Sequence, residues 1–117
     1  MTGPFQLGTP QRVADFTDGL SHVIFVGEKQ VHIDRHGYGG LDCSIYDGEY
    51  PTCSGRGVSN GLTTNPRDAG LKFGSRHTGV VQFGFGDGRV QALSVNIDRY
   101  TFELLGTRGH GQVVPNY

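Results

Sequence analysis

Twenty of the 117 residues are glycine, against a usual share of roughly 7%. Glycine brings no side chain to a core, and it gives up more backbone freedom on folding than any other residue. The chain must therefore organise itself around a small core, with much of its length in turns and loops. A chain of 117 residues is one domain's worth, and the expectation is a single domain over 1–117.

The first readable element lies in the N-terminal third. Residues 1–11 carry Gly3, Pro4, Gly8 and Pro10 and form an irregular lead-in. Asp18-Gly19 signals a turn, because glycine tolerates the positive φ that a tight turn imposes. A strand is expected over Leu20–Val31, centred on Val23-Ile24-Phe25-Val26, and its continuous apolar run predicts burial on both faces. From 32 to 70 no periodicity survives. That stretch contains eight glycines at 37, 39, 40, 48, 55, 57, 61 and 70 plus Pro51 and Pro66, and it is far longer than the usual ceiling of about 12–15 residues for a structureless connection.

The C-terminal third, 73–114, is the most legible. Val81, Phe83 and Phe85 alternate with Gln82 and Gly84, a period-2 strand with one buried face. Asp87-Gly88 then predicts a two-residue hairpin loop. Under that register Phe85 faces Val90, Phe83 faces Ala92 and Val81 faces Ser94, with Phe83, Phe85, Val90 and Ala92 on one face. A short helix follows, capped by Asp98 and stopped at Gly106, with Ile97, Thr101, Leu104 and Leu105 covering the hairpin. Val113-Val114 suggests a closing edge strand. The fold class is α+β and β-rich: an antiparallel sheet, a C-terminal hairpin, a short packed helix and a long Gly-rich loop.

Composition excludes several functions. The net charge is −1 and the pI about 6.5, and the arginines are scattered among carboxylates. A nucleic-acid binder needs a basic stripe to neutralise phosphates. No run approaches the ~20 apolar residues of a membrane helix.

Chemistry-bearing residues have structural readings. His77 and Asp87 enclose nine residues, but the intervening strand holds them about 20 Å apart, too far for a catalytic dyad or a shared metal. Asp87-Gly88 is read as the turn, and His77 as bonded to nearby backbone where the chain enters the sheet. Gly84-Phe85-Gly86-Asp87-Gly88 lacks the following helix that a dinucleotide fingerprint requires. Ser75 with His77 has no third orienting group. Cys43 and Cys53 fit a disulfide, free thiols, or zinc ligands together with His32 and His36, although the spacing lacks the short Cys pair of structural zinc motifs. Asp42, Asp47 and Glu49 are weak calcium candidates without the Asp-x-Asp-x-Asp-Gly order. No cofactor and no enzymatic activity are expected.

Three blocks carry a resemblance. Phe73-Gly74-Ser75-Arg76-His77-Thr78-Gly79 through Phe83-Gly84-Phe85-Gly86-Asp87-Gly88-Arg89-Val90 resembles the His-x9-Asp-Gly processing-associated region of bacterial prepilin-like proteins, domain of unknown function family 1559. Asp15-Phe16-Thr17-Asp18-Gly19-Leu20-Ser21-His22-Val23-Ile24-Phe25-Val26-Gly27-Glu28 is similar to the family's Thr-Asp-Gly-x-Ser-Asn-Thr-Ile-x-x-Gly-Glu block. Asn96-Ile97-Asp98 through Gly109, with Val113-Val114, resembles its closing helix and tail. His22 stands where the family usually has Asn, and Arg89 where it usually has Ser. The resemblance marks Asp18, Gly19, Gly27, Glu28, His77, Asp87 and Gly88 as structural motif residues. It implies the globular head of a type IV pilin-like or pseudopilin-like subunit, with other such subunits or surface components as partners and the cell envelope or exterior as location. Full-length members look like pilins with an N-terminal cleavage site and a long apolar helix. That stretch is not among these residues, so a trimmed domain, a partial gene product or a soluble relative is expected. The rival reading is an extracellular module for a sugar or other small solute, with Tyr38, Tyr46 and Tyr50 as a stacking surface.

Overall fold

The computed structural model describes residues 3–44, 50–68 and 70–117. In chain order these form strand β1 (Ile24–Gly27), a one-turn helix α1 (Pro51–Ser54), and strands β2 (Leu62–Thr63), β3 (Phe73–Gly74), β4 (Val80–Phe85) and β5 (Val90–Ser94). Helix α2 (Arg99–Leu105) closes the series, and single 3-10 turns sit at Val13–Asp15, Ile33–Arg35 and Val58–Asn60. β1, β4 and β5 make an antiparallel sheet with β4 in the middle, while β2 and β3 pair in parallel. No described helix is long and apolar enough to cross a membrane.

The alternation in β4 sets the core. Val81, Phe83 and Phe85 point inward and meet Leu93 of β5, Ile24 of β1, and Phe102 and Leu105 of α2 in one buried cluster. The Phe83 ring stands edge-on to Phe73 and Phe102, at centroid distances of 5.2 and 5.7 Å, a favoured aromatic geometry. Helix α2 starts where expected, because Asp98 Oδ2 accepts from the Thr101 backbone N–H (2.9 Å) and hydroxyl (3.0 Å). Its buried side chains are Thr101, Phe102, Leu104 and Leu105. Gly106 ends it at φ −87°, an ordinary conformation. Glycine is needed there for space: a Cβ would lie 2.5 Å from Val58 Cγ1.

The hairpin register differs from the sequence expectation by one residue. Val81 faces Leu93, Phe83 faces Gln91 and Gly84 faces Val90. The loop is Gly86-Asp87-Gly88, closed by bonds from the Phe85 N–H to Arg89 O (2.8 Å) and from the Gly88 N–H to Phe85 O (3.0 Å). Gly88 has φ 88°, the left-handed position on which three-residue hairpin loops end. An Asp-Gly pair suits both loop lengths, so turn chemistry alone could not choose between them. A slip of one residue turns a strand over. Leu93 is accordingly buried, while Val90 is 68% exposed and Ala92 faces solvent.

β1 is also shorter and less enclosed than expected. Its register against β4 runs Ile24 to Phe85 and then Val26 to Gly84, with one extra residue on the β1 side. Such a bulge re-aims side chains. Ile24 enters the core, Phe25 packs against Phe16 and Phe5 at 5.3 and 5.4 Å, and Val26 is left 64% exposed. The run is therefore not buried on both faces. Nor does the tail form an edge strand: Val113 and Val114 have no strand partner and Val113 is 92% exposed.

The stretch 32–70 has no continuous periodicity, yet its described part holds α1, two 3-10 turns and β2. β2 ties it to β3, Leu62 facing Phe73, and β3 in turn is held beside the main sheet by the Gly74 N–H, which donates to Glu28 O at 3.0 Å, just beyond β1.

The register yields a direct test. Leu93→Ala is expected to lower the unfolding free energy by about 2–5 kcal/mol, while Val90→Thr changes it by no more than about 0.5 kcal/mol. Urea denaturation of the two variants measures both, and the reverse ranking would restore the two-residue loop.

Candidate functional site

Two motif blocks far apart in sequence meet beside the entry to β4. Ser75-Arg76-His77-Thr78-Gly79 forms a loop, which Gly79 closes at φ 72°. The buried Ser75 hydroxyl donates to Val80 O (2.5 Å) and accepts from the His77 backbone N–H (3.1 Å), so the loop is fixed from within. This presents the imidazole to Glu28 just past β1, with His77 Nε2 3.2 Å from Glu28 Oε1. The other carboxylate oxygen of Glu28 accepts from the Gln82 N–H at 2.8 Å. His77 thus bonds a carboxylate across the sheet, not the nearby backbone expected from its position. The pair borders an open groove of about 710 Å³ that also takes in Lys29, Gln30, Asp42 and Arg76.

Asp87 lies at the opposite end of β4, a strand about 17 Å long. Its Oδ1 accepts from the Arg89 N–H at 2.9 Å within the hairpin loop. His77 and Asp87 do not share a site. Gly27 has a packing role, since a Cβ there would come within 2.5 Å of the Phe83 ring and 2.7 Å of the Phe73 ring.

Asp18 does more than mark a turn. Gly19 makes the turn at φ 82° with its N–H on Phe16 O at 3.0 Å. The Asp18 carboxylate grips the far end of the chain, accepting from the backbone N–H groups of His110 (2.6 Å) and Gly111 (3.2 Å). Those bonds, and after them the His110 ring, hold its pKa below the ordinary 3.8. Nothing local in the sequence announces a partner 92 residues away.

Arg89 and His22, the two positions that depart from the resembling blocks, are joined through Tyr117. The Arg89 guanidinium lies 4.3 Å over the Phe85 ring and donates to Ser21 O (2.6 Å) and Tyr117 Oη (3.0 Å). His22 Nδ1 is 3.1 Å from the same Oη. The Tyr117 ring stacks on Phe85 at 6.2 Å.

In the long loop Cys43 and Cys53 form a disulfide, with Cα atoms 5.7 Å apart. Bonded sulfurs are not thiolates, which removes the zinc arrangement with His32 and His36. Asp42 Oδ2 accepts from the Gly37 N–H at 2.6 Å. Asp47 and Glu49, the other weak calcium candidates, lie outside the described residues, as does Tyr46. Among the described residues no three His, Cys, Asp or Glu side chains cluster as metal ligands do. Lys29 Nζ, two residues past β1, donates to Leu41 O (2.7 Å) and Cys53 O (2.6 Å), tying two separate parts of the loop to one side chain. Burial, and then the nearby Arg56 charge, pull the Lys29 pKa down.

Two measurements follow from these contacts. A carboxylate with a depressed folded pKa stabilises the fold above its unfolded value and loses that contribution as pH falls through the folded value. Asp18 and Asp98 both have pKa values held below 3.8 by hydrogen bonds. Asp18→Asn is expected to lower the urea midpoint at neutral pH and to flatten its fall below pH 3.8. An unchanged acid limb would assign that fall to other groups. Reducing the Cys43–Cys53 bond is expected to cost about 3 kcal/mol, read as the difference between urea curves with and without reductant.

A family model described as "Protein of unknown function (DUF1559)" matches residues 1–100. No curated protein and no solved structure matches the chain. The blocks at 12–30 and 73–94, which supply β1, the Glu28–His77 pair and the β4–β5 hairpin, lie within that match, and the chain belongs to the DUF1559 family.

Proposed function

We propose that the domain is a non-enzymatic structural head of a pilin-like or pseudopilin-like subunit, displayed at the cell surface among other such subunits or surface components. One observation carries this reading: the motif acids are engaged in holding the backbone. Asp18 binds the amides of 110 and 111, Glu28 the amide of Gln82, Asp87 the amide of Arg89, and Asp98 the amide of Thr101. Catalysis needs polar groups that converge on one reacting atom. These four acids occupy four separate structural posts. The disulfide suits an oxidising compartment outside the cytoplasm, and the resemblance to prepilin-like proteins supplies the assembly class.

A second reading, a module for a sugar or similar solute, is favoured by Gln30. Its Nε2 donates to Asn65 O at 2.6 Å, while its buried Oε1 has no donor among the described residues. Gln30 borders the groove beside Glu28 and His77, where a ligand hydroxyl would supply that donor.

Surface biotinylation of intact producing cells with a membrane-impermeant reagent, followed by mechanical shearing, tests the first reading. The chain is expected in the labelled, sheared fraction with Cys43 and Cys53 oxidised. Confinement to the cytoplasm in reduced form would defeat it. A thermal-shift screen of the purified chain against glycans addresses the second, and a reproducible large rise in Tm would move the reading to a binding module.

A further inference from the structure

A cavity of about 780 Å³ lies between β1, the segment 54–59, Phe73 and the end of α2. Its size falls in the range of about 300–1,000 Å³ typical of small-molecule sites. Phe5, Ile24, Phe25, Val58 and Phe73 give it apolar walls, and Arg56 stands among them.

Arg56 is held in an incomplete way. Its Nη1 donates to Thr52 O (2.9 Å) and Gly55 O (2.6 Å), which fixes the guanidinium plane. Its Nε is buried and has no acceptor. Nη2 has no bonded acceptor among the described residues either. No described carboxylate forms an ion pair with it. Glu103, the acidic residue of the same wall, lies 3.8 Å from Arg99 Nε instead. Burial pulls the Arg56 pKa down. The unbonded pair, Nε and Nη2, forms the side-on edge of the guanidinium. That edge presents two parallel N–H donors and matches the two oxygens of a carboxylate. A buried donor without an acceptor is costly and uncommon.

We propose that this cavity binds a small organic monocarboxylate with an aromatic or branched aliphatic body. The body packs against Phe25, Val58 and Phe73, and the carboxylate takes the Nε/Nη2 edge of Arg56. A metal cation is disfavoured by the arginine charge. A polyphosphate would need more than one cation, and a sugar would meet mostly apolar wall. The site uses none of the motif acids, so it stands or falls separately from the structural role.

The test is a titration of the full, isotopically labelled chain followed by amide NMR, with phenylacetate as probe and 2-phenylethanol as its uncharged counterpart. Phenylacetate is expected to give saturable shifts at Gly27, Val58 and Phe73, with a dissociation constant on the order of a millimolar or tighter. The alcohol is expected to bind at least about tenfold more weakly, the loss of a charge-assisted hydrogen-bond pair. Arg56→Lys keeps a cation but has no fork, and it should bring phenylacetate down to the level of the alcohol while leaving the alcohol unchanged. Equal affinity of acid and alcohol for the unaltered chain, or shifts that are scattered or do not saturate, would overturn the proposal. That comparison decides the matter even if the lysine variant loosens the loop.

Discussion

The enclosure of Phe83 is the constraint around which the rest of the structure is arranged. Its ring sits on the middle strand and needs cover from three directions at once. Gly27 of β1 lies against it without a Cβ, Phe73 meets one edge, and Phe102 of α2 meets another. Each of these neighbours comes from a different part of the chain. Burying such a ring contributes on the order of 2–3 kcal/mol relative to leaving it in water, so losing any one wall weakens the attachment of all three. Gly27 is thereby explained as space for an aromatic ring, and Phe73 as the point where the small parallel pair joins the main core.

Polar contacts then close the chain on itself. Asp18 grips 110 and 111, Arg89 reaches Ser21 and Tyr117, and Glu28 spans from Gln82 to His77. These bonds cross from the N-terminal third to the C-terminal third and pass over the intervening loop. The two outer thirds form the scaffold, and the stretch between Val31 and Phe73 hangs from it. In a Gly-rich chain with few side chains to bury, such directed bonds do part of the positioning that a larger apolar core would otherwise do.

What could be read beforehand followed from distance along the chain. Helix α2 was legible because its cap, Asp98, and its amide partner, Thr101, are three residues apart. The inward set Val81, Phe83 and Phe85 was legible because alternation is a local pattern. The hairpin loop is one residue longer than Asp87-Gly88 alone implies: that pair satisfies both loop lengths, and Val90 and Leu93 are both apolar, so neither cue excludes the other register. The bulge at Phe25 was hidden inside an uninterrupted apolar run, where the pattern carries no phase. The Glu28–His77 pair, the hold of Asp18 on the tail and the His22–Tyr117 contact join residues 49 to 95 positions apart, and no spacing rule reaches that far. Arg56 reads as one scattered arginine in the sequence, which cannot show that its Nε is buried without an acceptor beside an apolar-walled cavity.

The long loop is fastened in a way that bears on how its surface can change. Lys29 and Arg56 reach it only through main-chain oxygens, those of Leu41, Cys53, Thr52 and Gly55. A carbonyl is the same group whichever amino acid carries it. Those bonds are therefore blind to the side chains of Leu41 and Thr52, which can be exchanged without loosening the fastening beneath. A domain built this way can change side chains on that loop while its frame stays fixed.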